Sequence, residues 1–272
     1  CAWYAGVSLT GYTELAATRY EYDMAAAPPL LRGPAYHREL QVAEPKDTDW
    51  PTYRRDARRG AFRPTHIAPA LESRWQCQLS APLTAPTISD GRVFVAEKED
   101  HSVVAMDARD GHLLWRFTVG GRIDSPPTAA DGRVVFGAAD GRVYCLDAAD
   151  GTLAWSFRAA PNDSRMVVDD QIESVWPVRG GVLVQEHEVV AIAGRSSYLD
   201  GGMVAYRLAL DSGRVLERQP ISHERLTDRA VATGEGARYD DYYTEGTLAD
   251  VPVAHDDSIF LKATNVFRKG RR

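Results

Sequence analysis

Two stretches set paired carboxylates ahead of a glycine at the same spacing: Asp107 and Asp110 before Gly111, and Asp147 and Asp150 before Gly151. Hard cations take clustered carboxylate oxygens, so such pairs are the first place to look for calcium. Their spacing points elsewhere. An Asp-x-x-Asp-Gly run lacks the alternating acids and distant glutamate of a calcium-binding loop, and it suits a turn in which aspartate accepts local backbone hydrogen bonds. A second cluster lies in the glycine-rich stretch Ala193-to-Gly202, where Arg195, Ser197, Tyr198 and Asp200 gather a cation, two hydroxyls and a carboxylate. Loops of that composition commonly carry binding groups. Arg195 could pair an anion, Ser197 and Tyr198 could donate hydrogen bonds and Asp200 could accept one; a solvated turn uses the same residue types. These four form the candidate ligand-binding loop.

Nucleophile, phosphate-loop, zinc-protease and dinucleotide signatures are absent from the sequence, and the seven histidines (His37, His66, His101, His112, His187, His223 and His255) show no paired ligand spacing. No catalytic, cofactor-binding or metal-ligating residue is assigned.

The elements that would position these groups come from repetition, which decides architecture before any single motif does. The stretch from Ala85 to Phe117 superimposes on that from Ser125 to Phe157 with one deletion. Pro86 falls on Pro127, Asp90-Gly91-Arg92-Val93 on Asp131-Gly132-Arg133-Val134, Asp107 on Asp147, and Trp115 and Phe117 on Trp155 and Phe157. Trp75 stands at the same interval upstream. Asp-Gly pairs supply the positive φ of tight hairpin turns. Between them, Arg92-to-Ala96, Ser102-to-Asp107 and His112-to-Phe117 are short runs of valine, leucine and aromatics, which suit strands. An outer strand at Trp75-to-Leu79, and another at Trp115-to-Val119, would complete four-stranded antiparallel sheets, the blades of a propeller. A third, eroded unit places a first hairpin at Pro177-to-Val184 and a last turn at Asp211-Ser212-Gly213. Pro252-to-Leu261 matches Pro86-to-Val95 and opens a further blade.

The run Ala105-Met106-Asp107 through Asp110-Gly111 to Trp115 resembles the tryptophan-docking repeat of quinoprotein dehydrogenases and their non-catalytic relatives. Cys145-Leu146-Asp147 through Asp150-Gly151 to Trp155 is similar, while the third unit has Ala209 for the aspartate and Glu217 for the tryptophan. Asp49-to-Asp56 looks like the segment that often opens a propeller of this superfamily. The resemblance implies an all-β propeller of four-stranded antiparallel blades, about three of them plus part of another. It also implies that Trp75, Asp107, Gly111, Trp115, Asp147, Gly151 and Trp155 lock blade to blade, each indole spreading over a neighbour's backbone while its N–H finds an acceptor.

For function, the resemblance implies a non-catalytic scaffold that binds other proteins or a ligand, similar to the propeller lipoproteins that assist outer-membrane β-barrel assembly. It places the protein in the bacterial periplasm or outside the cell. The alternative is an alcohol or sugar dehydrogenase using pyrroloquinoline quinone and calcium. By resemblance that enzyme needs an aspartate base, glutamate and asparagine ligands and often an adjacent cysteine pair. Here the cysteines are Cys1, Cys77 and Cys145, and the asparagines only Asn162 and Asn265. No cofactor is therefore expected unless missing blades supply its ligands.

Composition narrows the classes further. A net charge of −6 with basic clustering only at the end of the chain gives no nucleic-acid surface, and no apolar run is long enough to span a bilayer. Four segments follow: 1–48 irregular or the remnant of a preceding blade, 49–217 the repeats, 218–250 a polar linker or inter-blade excursion, and 251–272 the start of a further blade with a basic tail. Two readings compete for a start at Cys1, a lipid anchor and a truncated chain. An open array leaves unpaired edges, which favours the truncated chain, a piece of a longer propeller.

Overall fold

The computed structural model describes residues 30–40, 42, 44, 46–64, 70–80, 82–222 and 247–268. Every regular element among the described residues is a strand, and no helix there is long and apolar enough to cross a membrane. The strands build successive antiparallel sheets. Blade 1 is β2 (Thr87–Ser89), β3 (Arg92–Glu97), β4 (Ser102–Asp107) and β5 (Leu113–Thr118). Blade 2 is β6 (Thr128–Ala130), β7 (Arg133–Gly137), β8 (Arg142–Asp147) and β9 (Leu153–Arg158), with β1 (Leu30–Arg32) added outside β9. A separate hairpin follows, β10 (Arg165–Val168) and β11 (Gln171–Ser174). Blade 3 is β12 (Leu183–Gln185), β13 (Glu188–Ala193), β14 (Met203–Ala209) and β15 (Val215–Ile221). Blade 4 has β16 (Val253–His255), β17 (Ser258–Leu261) and β18 (Thr264–Arg268). The chain is thus an all-β, partial propeller.

The repeated letters produce repeated geometry. Asp90-Gly91 and Asp131-Gly132 both have positive φ at the two turn positions, as the tightest hairpins require. The third and fourth strands of blades 1, 2 and 3 slip register at one shared place, Ala105/Met106, Cys145/Leu146 and Arg207/Leu208. Such a bulge strengthens the local twist of a blade. Apolar faces then close between sheets: Phe94, Ala105 and Trp115 of blade 1 pack with Val134, Phe136 and Leu146 of blade 2. Val135, Cys145 and Phe157 of blade 2 pack with Val189, Tyr206 and Leu208 of blade 3. Burial drives the Cys145 thiol up to about 12, so it is an inert core group.

Two expectations are corrected, and two further elements are added. Trp75-to-Leu79 forms no strand, since no described neighbour offers it a ladder, although Trp75 itself still packs against blade 1. The first hairpin of blade 3 turns at Glu186-His187, not at Gly180-Gly181: sheet pairing imposes φ of 51° and 61° on two residues that rarely adopt them. Within 1–48, read as irregular or as the remnant of a preceding blade, Leu30–Arg32 forms β1. The hairpin β10–β11 has no counterpart in the repeat and turns on Asp169-Asp170. Cys1 and most of the 218–250 linker lie outside the described residues.

Candidate functional site

The repeated carboxylates serve their own turns. Asp107 Oδ1 accepts the Arg109 amide at 2.8 Å, Asp110 Oδ1 the His112 amide at 3.1 Å, Asp147 Oδ1 the Ala149 amide at 3.0 Å and Asp150 Oδ1 the Thr152 amide at 2.9 Å. Ligand atoms of Asp107, Asp110 and His112 lie within 4.8 Å of one another. That corner is exposed, His112 Nδ1 is 2.9 Å from Asp110, and Arg109 pairs with Asp107 at 3.2 Å. These bonds hold both carboxyls below their usual range, Asp107 chiefly through the Arg109 side chain and Asp110 chiefly through the His112 amide.

The three indoles occupy equivalent positions. Trp75 Nε1 donates to the Ala108 carbonyl at 3.1 Å, Trp115 Nε1 to Ala148 at 3.1 Å and Trp155 Nε1 to Leu210 at 2.9 Å. Each ring lies over the glycine three residues beyond its acceptor. A Cβ placed on Gly111 would meet Trp75 at 2.4 Å, on Gly151 would meet Trp115 at 2.7 Å, and on Gly213 would meet Trp155 at 2.7 Å.

The candidate loop at 193–202 is stitched to residues 247–249, which lead into blade 4. Ser197 N donates to Thr247 O at 2.9 Å, Ser197 Oγ accepts the Thr247 amide at 2.9 Å, and Ala249 N donates to Arg195 O at 2.9 Å. Arg195 is paired with Asp200 inside the loop. Tyr198 sits on the exposed side, its amide donating to Ser196 Oγ at 3.2 Å. The loop thus spends its charges and the Ser197 hydroxyl on itself and on residues 247–249.

Sequence reasoning did not identify the group at the centre. First strands of neighbouring blades adjoin, β2 beside β6 and β6 beside β12, and residues 50–61 run across them. Trp50 exchanges both backbone bonds with Ile88, Pro51 O accepts the Ala129 amide at 2.8 Å and Ala57 O accepts the Ala254 amide at 2.9 Å. Arg59, 7% exposed, donates Nε to Pro252 O at 3.2 Å, Nη1 to Thr52 Oγ1 at 2.8 Å and Tyr53 O at 3.0 Å, and Nη2 to Val182 O at 3.2 Å. Thr52 and Thr128 hydroxyls share a 2.9 Å bond, and Thr128 donates to Val182 O at 3.3 Å. Because a carbonyl only accepts, Thr52 must donate to Thr128, so the chain runs from Arg59 through both threonines to Val182. One segment is thereby bonded to the starts of the four described blades. Burial lowers Arg59 to about 10, so it stays charged at neutral pH without a carboxylate in ion-pair contact among the described residues. The sequence marks this segment only as far as Asp56; which arginine reaches the centre depends on distant carbonyls.

Two cavities flank that segment. One of about 570 Å³ lies between the first hairpins of blades 1 and 2, with Arg38, Leu40, Val42 and Asp49 also on its wall. Two ion pairs lie on its wall, Arg38 with Asp147 at 2.7 Å and Arg92 with Asp90 at 2.8 Å. The other, about 230 Å³, is lined by Tyr53, Arg59, Asp124, Ser125, Arg179 and Gly181 among others. The quinone-and-calcium set does not fit this centre. Asp124 is the sole carboxylate on the smaller cavity's described wall, and Arg122 holds it at 3.0 Å, with Arg179 at 3.6 Å. Asn162 bonds its own Ser164 amide and Asn265 reaches Ser258. Calcium needs six to eight oxygens with acid among them, and a buried guanidinium in that place repels it.

Antiparallel blades repeated around a shared centre define a β-propeller with repeats of the pyrroloquinoline-quinone type. A family model described as outer membrane protein assembly factor BamB matches residues 65–238, more than half of the chain, and the chain belongs to that family. No curated protein matches it. Among solved structures, BamB from Moraxella catarrhalis is 20% identical, covering 55% of this chain and 44% of its own, with a TM-score of 0.43. The quinohemoprotein alcohol dehydrogenase ADHIIG from Pseudomonas putida HK5 is 20% identical over 64% of this chain and 27% of its own, with a TM-score of 0.49. That from Comamonas testosteroni is 19% identical over 78% and 31%, at 0.48. The chain spans less than half the length of each of these proteins.

Proposed function

We propose that the chain is a non-catalytic propeller scaffold that binds other proteins, working as a piece of a larger protein in the bacterial periplasm or outside the cell. The observation that carries this reading is the centre. There the chain's own residues 50–61 tie the blades together, and Arg59 with Thr52 and Thr128 is committed to backbone carbonyls and to one another. A dehydrogenase would need an acidic base and cation ligands in that place. The family description, an outer-membrane assembly factor, supports both the scaffold reading and the location. The indoles of Trp75, Trp115 and Trp155 act in this reading as locks between blades. A partner-binding surface is supported at the outer edge of blade 1. There β5 carries exposed Leu113 and Leu114 and pairs only with β4 among the described strands, whereas its counterpart β9 already takes β1 as an added strand.

Dye-linked oxidation of alcohols and sugars, with added pyrroloquinoline quinone and calcium, tests the proposal. The expected result is no turnover above the protein-free control. Sustained turnover overturns it in favour of the dehydrogenase.

A further inference from the structure

The smaller central cavity has donors with nothing to give to. Ser125 is 6% exposed and its Oγ has no hydrogen-bond partner among the described residues; Arg179 Nε is likewise buried and without one there. Both residues line the same cavity of about 230 Å³ as Arg59. Arg179 Nε stands 3.6 Å from Asp124 Oδ2, an ion-pair distance that makes no hydrogen bond, and Asp124 is already held by Arg122 at 3.0 Å. Arg59 uses four of the five N–H donors of a guanidinium and leaves one uncommitted. Arg179 is also ion-paired with the buried Glu173, so the surplus positive charge on the wall is that of Arg59, which has no carboxylate in ion-pair contact among the described residues.

Space is kept open there by glycine. Gly181 has φ of 78°, and a Cβ on it would come to 3.2 Å from Ser125 Cβ and 3.3 Å from its hydroxyl. Any side chain at 181 would therefore crowd the orphan hydroxyl and the room beside it. Buried donors left unpaired cost free energy, so a wall holding two of them beside a cation is a site awaiting acceptors.

We propose that this cavity binds a small oxyanion, a carboxylate or phosphate group, whose oxygens accept from Ser125 Oγ, Arg179 Nε and the remaining Arg59 N–H. Water occupies about 30 Å³ in the liquid. A volume of about 230 Å³ thus suits inorganic phosphate or a short dicarboxylate and excludes nucleotides and large cofactors. Cations are repelled by the same wall. The site sits at the centre beneath the 50–61 segment, so its occupant would add bonds between the starts of blades 2 and 3 and that segment. This inference does not depend on which proteins the scaffold binds.

The test is calorimetric titration of the full chain with inorganic phosphate and, separately, with succinate at constant ionic strength, with tetramethylammonium as the cation control. Saturable binding of phosphate or succinate with no response to tetramethylammonium is expected, and the two probes separate a phosphate from a carboxylate preference. Ser125→Ala removes a hydroxyl that bonds to no other described residue, so it leaves the fold intact while weakening binding about tenfold, the usual effect of one hydrogen bond to a charged group. Gly181→Val is expected to abolish binding by filling the cavity, with circular dichroism reporting whether the sheets persist. Absence of saturable binding by either anion up to tens of millimolar, or an unchanged affinity in Ser125→Ala, overturns the proposal. Neither outcome touches the oxidation assay, which reads the scaffold proposal.

Discussion

The contact between blades 2 and 3 and the contact between blades 3 and 4 are built from the same strands in different ways. At the first, Trp155 is fully buried, lies over Gly213 and donates to Leu210 O. At the second, the equivalent position is Glu217, which pairs with Arg207 at 2.9 Å; Arg207 in turn sits 5.8 Å from the Phe267 ring. Apolar residues such as Val190, Ile192, Leu261 and Phe267 do the rest of the packing there. The eroded repeat has replaced a buried ring with a half-exposed ion pair and with the backbone ladder between 195–197 and 247–249. A large buried aromatic contributes several kcal/mol and an exposed ion pair well under one, so blade 4 should be held less tightly than blade 2.

The largest effect that would break this contrast is Trp155→Ala. It should cost about 3–5 kcal/mol as a large-to-small change in a fully buried site, read as a fall in the urea midpoint. A loss below about 1 kcal/mol would remove the indole from its place in the account. Next comes Gly213→Ala. The new Cβ would meet Trp155 at 2.7 Å and carries a positive φ, so a loss of about 1–3 kcal/mol is expected in thermal melts. Gly91→Ala is the control, since φ is equally positive but nothing lies within 4 Å of its Cβ. It should cost only the backbone strain, about 1 kcal/mol. The difference between the two substitutions isolates the steric contact with the ring. Glu217→Gln at the other interface should change stability by less than about 0.5 kcal/mol, because its pair is half exposed.

The smallest effect is acid-dependent. Asp107 and Asp110 are held below their usual carboxylate range, by the Arg109 side chain and the His112 amide respectively. A folded-state value below the unfolded one stabilises the fold above the ordinary carboxylate range, and this is lost as pH falls through the folded value. Urea midpoints should therefore decline below about pH 4, and less steeply in Asp110→Asn. An identical decline in the variant would show that the turn carboxylate is uninvolved.

Much of the fold was legible where chemistry is local. Asp-Gly turns impose their own φ, and the tryptophan four residues after Gly111 and Gly151 marks a blade edge whatever surrounds it. The illegible parts are those where distant contacts override local preference. Glu186-His187 carries no turn signal and is forced into one by the pairing of β12 with β13. Leu30–Arg32 is a strand only because β9 offers an edge far along the chain. The candidate loop was visible by composition, but its ties to Thr247 and Ala249 depend on a segment some fifty residues on, with |i−j| of 50 for the Ser197–Thr247 bond. Arg59, the group at the centre, is one of several arginines between 54 and 63, and only the carbonyls of Val182 and Pro252 distinguish it.

The central claim is that residues 50–61 close the middle of the blade array. Three amides report on it directly, because the carbonyls they donate to belong to that segment: Ile88 to Trp50, Ala129 to Pro51 and Ala254 to Ala57. Residue-resolved hydrogen exchange under native conditions should find all three as slow as amides inside β3 and β7, and opening together. Exchange at the rate of unbonded loop amides, while β3 and β7 stay protected, would show that the segment leaves the centre and would contradict the account.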